Sequence, residues 1–511
     1  MSDVVAEILA RAAERPDEVA IIDPDGALTT YGELGAWVRA IRHGLLARGL
    51  SPGDGVLFAV RTSATAIALF LGVLAAGGVV IAADSAVGPA LVSARMRAYR
   101  PRWLIAESAL YTFSVVGFLR SLGRRRGWSL PDLRQPMGEP GVRSVYCGRW
   151  LPGVPRGAIR VDDLVQRAST EVGAVDPNAP AFIVFTSGTT EQPKGVVHTL
   201  GSMIAAVRML GEQIPFGPGD VMHTDGVFQG LPALVSGARL SIAKPSASAR
   251  RFAEDLVERR ATHAYGVPVH LAEVFDVLPR WPDRVRYLLM GSAPAAPAVL
   301  RKAMAAVPGG QVLSVYAMTE AIPLAIARAE DKLAHTEAGL PGDLLGTPSP
   351  GVTARIAVDG ELLVSGPNVC TGYLGQGPLA EVPTGDRARL DEHGRIVLLG
   401  RKKDMLIRGS YNIYPGLYES SIALLPGVVE AAMVGLPDPV TEDETVVLAV
   451  VADPAVDADV LTRRLRRRLP SVIDAEALPD RIVVLPELPR SGRSRKLDRA
   501  RLRDVLGRNP V

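Results

Sequence analysis

Apolar and polar positions near the start of the chain follow first a helical and then a strand-like pattern. The segment Thr30-Tyr31-Gly32-Glu33 has the spacing of a capping box, which predicts a helix start. Apolar residues then recur at three- and four-residue intervals until Gly49, at Leu34, Val38, Ile41 and Leu45. A strand-like run follows from Gly55 to Val60. Alternation of helices with buried strands predicts an α/β fold with a parallel or mixed sheet.

The segment from Ala64 to Ala83 carries no charge over about 20 residues, which is long enough to cross a bilayer. Gly77 and Gly78 divide it into a helix-like half and a β-branched half that contains Val79 to Ile81. We therefore predict a helix, a glycine turn and a buried strand here, and no membrane span.

Length and composition narrow the class of protein. A chain of 511 residues exceeds one compact core and predicts two or more domains. The net charge of +3 is too small at this length to indicate nucleic-acid binding. Cys147 and Cys370 are the only cysteines, which implies no disulfide framework and fits a reducing compartment. No signal peptide precedes the helix-like Val4 to Ala13, so we expect a cytoplasmic protein.

A loop of small and hydroxyl residues follows the apolar run from Ala181 to Phe185, which predicts a buried strand. Small side chains let backbone N–H groups approach an anion, hydroxyls donate to it, and Lys194 adds positive charge. The loop is therefore a predicted polyphosphate site. It is not a Walker A loop, because Pro193 stands where that motif requires glycine. The loop residues are Thr186, Ser187, Gly188, Thr189 and Thr190.

This loop, followed by Pro193-Lys194-Gly195, resembles the phosphate-binding signature of the ANL superfamily of adenylate-forming enzymes. That superfamily includes acyl- and aryl-CoA ligases, carrier-protein adenylation domains and luciferases. The resemblance covers nearly the whole chain, although Glu191 stands where glycine is usual. It implies an α/β fold with a large N-terminal domain, residues 1–400, of mixed and parallel sheets wrapped by helices. A small mobile C-terminal α+β domain, residues 401–511, would follow.

Further motifs occur in the family's order. By resemblance, Gly291-Ser292-Ala293 forms the wall against the adenine, and Tyr316 stacks on the adenine ring. Thr319 would contact the α-phosphate, Glu320 would help to hold Mg²⁺, and Asp386 would accept hydrogen bonds from the ribose hydroxyls. The resemblance also implies a pocket for the acid substrate, lined by His223, Phe228, Ala317 and Met318.

The C-terminal segment carries the remaining predicted site residues. Arg401 would contact the ribose or the phosphates, and Lys403 stands where the family's two domains pivot. Gly409-Ser410 occupies the place of the paired glycines that line the acceptor channel in CoA ligases. Lys496 aligns with the lysine that bridges the carboxylate and the α-phosphate. Arg495 replaces the glycine before that lysine.

Two basic segments lie outside these motifs. Between about Leu110 and Pro155, apolar residues stand beside arginines and Trp128, which predicts either a solvated surface helix or a helix for a membrane surface or a partner. Olefin β-lactone synthetases, a branch of the superfamily, carry a similar segment at this point of the chain. The predicted helix from Ala458 to Leu469 is strongly basic, which indicates a solvated face or a dock for a phosphorylated or acidic acceptor.

The resemblance implies a two-step reaction. ATP and Mg²⁺ would activate a small-molecule acid as its adenylate with release of pyrophosphate, and the acyl group would then pass to a thiol of CoA or of a carrier protein. Pathway enzymes are further candidate partners. Three alternatives remain open: an olefin β-lactone synthetase acting on a 3-hydroxy acid, a diazotase that activates nitrite for an aromatic amine, and a non-catalytic nucleotide-binding homologue. Glu191 and Arg495 favour the last.

Overall fold

The computed structural model describes residues 3–83, 99–119, 133–165, 175–185, 194–244, 247–408, 411–437, 444–492 and 495–508. The chain divides into two compact units. Unit 1 contains residues 1–247, 319–322 and 367–380, and unit 2 contains residues 248–318, 323–366 and 381–511. The predicted domain boundary at residues 400 and 401 falls within unit 2 and stays a prediction.

The strands of the first half of the chain are β1 (Val19–Ile22), β2 (Leu28–Thr30), β3 (Gly55–Ala59), β4 (Val79–Ala82), β5 (Trp103–Glu107), β6 (Arg143–Cys147), β7 (Ile159–Arg160), β8 (Pro180–Phe185), β9 (Gly195–Thr199), β10 (Val221–Thr224), β11 (Arg239–Ile242) and β12 (His263–Gly266). The later strands are β13 (Tyr287–Met290), β14 (Gln311–Met318), β15 (Ala321–Arg328), β16 (Asp343–Pro348), β17 (Thr353–Ile356), β18 (Glu361–Ser365), β19 (Gly372–Tyr373), β20 (Val382–Leu390), β21 (Ile396–Arg401), β22 (Leu406–Arg408), β23 (Tyr411–Ile413), β24 (Val428–Pro437), β25 (Glu444–Ala452), β26 (Arg481–Leu485), β27 (Arg490–Ser491) and β28 (Lys496–Leu497).

The helices of unit 1 are α1 (Val4–Glu14), α2 (Tyr31–Ala47), α3 (Ala64–Ala75), α4 (Ser108–Val115), α5 (Arg134–Gly138), α6 (Val161–Val165), α7 (Leu200–Gln213) and α8 (Val227–Val235). The helices of unit 2 are α9 (Ala249–Glu258), α10 (Pro268–Val277), α11 (Pro297–Ala306), α12 (Ala329–Glu337), α13 (Glu419–Ile422), α14 (Ala458–Arg468) and α15 (Arg499–Arg508).

Unit 1 is built on an eight-stranded sheet in the order β19-β9-β8-β4-β3-β5-β6-β7. The strands from β8 to β7 in this order pair in parallel, and β9 pairs antiparallel with both β8 and β19. Buried side chains of β4, β8 and β9 pack together on this sheet, among them Ile81, Ile183 and Val197. The hairpin of β8 and β9 therefore holds the two ends of the predicted phosphate loop on a buried sheet.

Local sequence signals explain the first helices of unit 1. The predicted capping box is confirmed, because Thr30 and Glu33 bond to each other's backbone N–H groups at the start of α2. The predicted helix, turn and strand from Ala64 are also confirmed as α3 and β4, joined at Gly77 with a φ of 76°. Within the described ranges, no helix has both the length and the apolar character needed to cross a membrane.

Unit 2 contains parallel and antiparallel sheet segments. Strands β12, β13 and β14 pair in parallel, whereas β16, β21, β20, β18 and β17 pair antiparallel in that order. A separate three-stranded sheet has the order β24-β25-β26. Helix α14 buries Leu461 and Leu465 on one face of this small sheet, and α15 buries Leu502 and Leu506 on the other. The parallel strands end at the predicted adenine wall, where open α/β sheets bind ligands.

Candidate active site

Strand β14 brings Tyr316 to a buried carboxylate of unit 2. The Tyr316 hydroxyl donates to Asp386 Oδ2 over 2.7 Å, and Arg401 Nε lies 3.0 Å from Asp386 Oδ1. Burial, and then the charge of Asp386, raises the pKa of Tyr316 well above its usual value. The phenol therefore stays protonated and donates to the carboxylate at neutral pH. Strands β14, β20 and β21 thus bring together three of the predicted nucleotide residues.

Asp386 fits the predicted ribose contact. Its side chain is only 5% exposed, and Oδ1 has no hydrogen-bond partner among the described residues, because the Arg401 contact is an ion pair without hydrogen-bond geometry. A buried oxygen of this kind is costly unless a donor reaches it. Two ribose hydroxyls would be such donors. The turn before Asp386 is fixed by Gly385, whose N–H donates to Glu361 Oε1 over 2.8 Å.

The predicted adenine wall follows the carboxyl end of β13. Ser292 adopts a φ of 67°, a left-handed conformation that is strained for any residue other than glycine. Its hydroxyl lies 2.8 Å from the Tyr265 hydroxyl at the end of β12, and this contact holds the turn. Gly291 and Ala293 flank Ser292. The strained residue lies at the point where the resemblance predicts a ligand.

The predicted phosphate and magnesium residues lie in unit 1. Glu320 is buried, and its Oε1 accepts a hydrogen bond from the Tyr373 hydroxyl over 3.1 Å. Burial and the Glu320 charge raise the pKa of Tyr373, so this phenol also stays a donor. The Lys194 ammonium lies 5.2 Å from the centre of the Tyr373 ring, within cation–π distance. The phosphate-loop residues Thr186 to Thr190 lie outside the described residues.

The residues of unit 1 fit a magnesium ion that is shared with phosphates. Among the described residues, no cluster of three or more His, Cys, Asp or Glu side chains could hold a metal ion alone. Mg²⁺ commonly uses one or two carboxylates and takes its other ligands from the nucleotide phosphates and water. Glu320 would supply one such carboxylate, and it directly follows Thr319, the predicted α-phosphate contact.

His198 is a site residue that the sequence analysis missed. Its Nε2–H donates to the Thr319 carbonyl over 2.7 Å, and its Nδ1 lies 3.3 Å from Ser202 Oγ. This bond fixes the backbone between the predicted phosphate contact and the predicted metal ligand. In the sequence, the feature that could have pointed to His198 is its place near the end of the strand that follows the phosphate loop. That signal is weak, because a lone histidine in a buried strand is more often structural.

Lys496, on β28, lies in a cationic part of unit 2. Desolvation, and then the charges of Arg401 and Lys403, lower the pKa of Lys496, whereas Asp386 opposes this shift. The residue as a whole remains exposed. Lys403 lies in a single 3₁₀ turn, Lys402–Asp404, directly after β21. The Lys496 ammonium therefore interacts electrostatically with the Asp386 carboxylate and with the cations around it.

The predicted acid-pocket residues are spread over both units. In unit 1, His223 is fully buried with Nδ1 2.9 Å from Ser241 Oγ, and the Phe228 ring packs 5.0 Å from the Phe182 ring. In unit 2, Ala317 is exposed and Met318 is half-buried at the end of β14. The roles of these four residues stay predictions. Gly409 and Ser410, the predicted acceptor channel, lie outside the described residues.

The α/β fold fits a ligase that activates its substrate with a nucleotide. So do the buried Asp386 carboxylate, which has one oxygen without a donor, and the charge coupling of Lys496 to it. Comparison with known families agrees with this class. The chain belongs to the family of AMP-binding enzymes, which matches residues 8–374, and the AMP-binding enzyme C-terminal domain matches residues 417–496. It is an adenylate-forming enzyme, and its curated relatives include acyl- and aryl-CoA ligases.

Three similar proteins illustrate the relationship. The sulfoacetate–CoA ligase of Cupriavidus necator is 28% identical, over 98% of this chain and 97% of the relative. The non-canonical nonribosomal peptide synthetase CymA of Salinispora arenicola is 27% identical over 96% of this chain, which spans 6% of that protein. The amide bond synthetase McbA of Marinactinospora thermotolerans has a similar fold, with a TM-score of 0.79 and 24% identity over 98% of this chain and 99% of McbA.

Lys496→Ala is expected to lower the rate of adenylate formation by about a hundredfold or more, with little change in ATP binding. A cation that contacts the reacting oxygens acts mainly in the transition state. Pyrophosphate exchange measures the rate, and equilibrium titration with ATP measures the binding. Lys496→Arg is the control that keeps the charge. Exchange at the wild-type rate in Lys496→Ala would show that another cation fills this role.

His198 predicts a pH dependence of stability. Burial lowers the pKa of His198 below 6.5, against the opposing effect of the bond to Thr319. The unfolded chain then binds a proton at a higher pH than the folded chain, so stability is complete above about pH 6.5 and is lost as the pH falls below it. The loss of Tm from roughly pH 7.5 to pH 5.5 should be smaller in His198→Gln than in wild type. The exposed His393→Gln is the control, and equal losses in all three proteins would contradict the prediction.

Proposed function

We propose that this enzyme activates a carboxylic acid with ATP and then transfers the acyl group to a thiol. The observation that carries the proposal is the buried Asp386 with its partners Tyr316 and Arg401 in unit 2, to which the charge of Lys496 is coupled. The CoA ligases among its full-length relatives support a thiol acceptor.

In the first step, a carboxylate oxygen of the acid attacks the α-phosphorus of ATP. The bond from that phosphorus to the bridging oxygen breaks, and pyrophosphate leaves with the electron pair. The product is an acyl-adenylate, in which AMP replaces oxide as the leaving group of the acyl carbon. Negative charge grows on the phosphoryl oxygens in the transition state, and Lys496, Thr319 and the loop from Thr186 to Thr190 would stabilise it.

The other site residues would bind and orient the nucleotide. Asp386 would accept from the ribose hydroxyls, Tyr316 and the Gly291–Ala293 wall would hold the adenine, and Arg401 would contact ribose or phosphate. Mg²⁺, held by Glu320 together with the phosphates, would supply charge neutralisation at the departing pyrophosphate. His198 would keep Thr319 and Glu320 in position through the Thr319 carbonyl.

In the second step, the thiol sulfur attacks the acyl carbon, the bond to the AMP oxygen breaks, and the thiol proton is released. A hinge at Lys403 would let the C-terminal segment withdraw Lys496 between the two steps. Ser410 stands where the resemblance places a glycine, and its hydroxymethyl group would narrow the proposed channel. CoA is one acceptor of suitable chemistry, and carrier-bound pantetheine is the other.

Helix α14 bears on the choice between these acceptors. Leu461 and Leu465 face the small sheet, while four arginines of the helix are exposed and form no ion pair with another described residue: Arg463, Arg466, Arg467 and Arg468. Arginine is favoured at interfaces with anionic groups. The nonribosomal peptide synthetase among the relatives is a further reason to include a carrier protein among the acceptors to be tested.

A pyrophosphate-release screen with Mg²⁺ and ATP tests the proposal. Short, long, aromatic and 3-hydroxy acids, together with nitrite, are each offered with and without CoA or pantetheine. We expect release with one class of acid and a thioester when thiol is present. Release with a 3-hydroxy acid that yields a β-lactone, or with nitrite that yields a diazonium product from an aromatic amine, would contradict the thiol step. ATP binding without release for any substrate would identify a non-catalytic homologue.

Lys403→Pro is expected to spare adenylation and to slow thioester formation at least tenfold, because proline fixes φ at a residue that must change its backbone angles. Preformed acyl-adenylate, offered with the thiol, separates the second step from the first. Lys403→Ala is the matched control, since it removes the same side chain and leaves the backbone free. Equal transfer rates in the proline variant and in wild type would exclude Lys403 as the pivot.

A further inference from the structure

Arg495, directly before Lys496, adopts a backbone conformation that favours glycine. Its φ is 47°, in the turn between β27 and β28. The turn is closed by the Arg495 N–H, which donates to the Gly492 carbonyl over 3.1 Å. Left-handed backbone at an arginine is unfavourable and persists only when surrounding contacts hold it. The contacts that hold Arg495 therefore also determine where Lys496 points.

Two contacts fix Arg495 from opposite sides. Its carbonyl accepts from Arg490 Nη1 over 3.1 Å, and Arg490 is itself bound through Nη2 to Glu430 on β24 over 2.6 Å. Its own guanidinium donates to Glu273 Oε1 over 2.7 Å. Glu273 lies on α10, 222 residues earlier in the chain, and α10 begins directly after β12. The turn that carries Lys496 is thus joined to the small sheet through Glu430 and to α10 through Glu273.

The charges around Lys496 oppose its approach to this place. Arg401 and Lys403 repel the Lys496 ammonium, and Asp386 alone among these three groups attracts it. Desolvation adds to the cost of bringing Lys496 to this place. An ion pair elsewhere on the same turn would offset this repulsion and leave the surroundings of Asp386 unchanged. The ion pair of Arg495 with Glu273 is of this kind.

We propose that Arg495 is a positioning residue whose ion pair with Glu273 latches the Lys496 turn onto α10. The latch favours the arrangement that forms the adenylate over the arrangement that transfers the acyl group. This inference rests on the proposed function for its kinetic meaning. It assigns a use to the arginine that stands where the resemblance would place a glycine: the side chain supplies an anchor that glycine lacks.

The expected size of the effect is modest. The side chains of Arg495 and Glu273 are 46% and 49% exposed. Half-exposed ion pairs are weak, and loss of this one should change an equilibrium by about two- to fivefold. The effect should fall with ionic strength, because solvent ions screen exposed pairs.

A double-mutant cycle with Arg495→Gln and Glu273→Gln tests the latch. Each single variant should lower the pyrophosphate-exchange rate by about two- to fivefold, and the double variant should lower it no further. Transfer from preformed acyl-adenylate should be unchanged or faster. Arg495→Lys should recover part of the exchange rate, and added salt should slow wild type more than Glu273→Gln. Additive losses, or equal losses in both half-reactions, would overturn the proposal.

Asp276→Asn is the matched control. It breaks the ion pair of Asp276 with Lys302, which also involves α10, spans 2.5 Å and is similarly exposed. Among the described residues, this pair forms no hydrogen bond or ion pair with the Lys496 turn. This variant should leave both half-reactions unchanged. A loss equal to that of Glu273→Gln would show that the effect comes from α10 in general and would refute the latch.

Hydrogen exchange tests the latch without turnover, so its failure can be told apart from failure of the proposed function. In the presence of ATP and Mg²⁺, Glu273→Gln should raise exchange in the peptide that contains Lys496, and Asp276→Asn should not. Equal exchange in wild type and Glu273→Gln would overturn the latch even if the enzyme releases pyrophosphate. Absence of pyrophosphate release in wild type would contradict the proposed function and leave the exchange result to decide the latch.

Discussion

The burial of Asp386 is the constraint on which the site in unit 2 depends. A carboxylate whose side chain is only 5% exposed is costly unless donors and positive charge surround it. Tyr316 supplies a hydrogen bond and Arg401 supplies charge. One oxygen remains without a hydrogen-bond donor, and a ribose hydroxyl is a donor of the kind that would satisfy it. In the proposed function, the stability of the unliganded fold and the affinity for a nucleotide would therefore be linked through one side chain.

The same arrangement occurs a second time, in unit 1. Glu320 is buried and accepts from the Tyr373 hydroxyl, as Asp386 accepts from the Tyr316 hydroxyl. In both places, burial and the adjacent carboxylate raise the pKa of the phenol. A tyrosine donor stabilises a buried carboxylate without neutralising its charge. Each tyrosine therefore holds a carboxylate whose predicted role is towards ribose hydroxyls or Mg²⁺.

Positive charge is concentrated around Lys496, and this has a structural cost. Three cations of unit 2, Arg401, Lys403 and Lys496, share the surroundings of one carboxylate. Such crowding suits a reaction in which negative charge grows on phosphoryl oxygens, but it opposes the approach of the lysine before the nucleotide binds. The turn that bears Lys496 therefore needs contacts outside the site. Arg490 and Arg495 make them, with Glu430 and Glu273.

The sequence by itself determined the α/β class, the capped start of α2, the turn at Gly77 and the order of the family's motifs. These features depend on residues a few positions apart, whose backbone geometry is nearly independent of the rest of the chain. Only the tertiary structure decided that His198 binds the Thr319 carbonyl, 121 residues away, and that Arg495 pairs with Glu273, 222 residues away. Such contacts form because the fold brings distant segments together, and spacing along the chain carries no record of that.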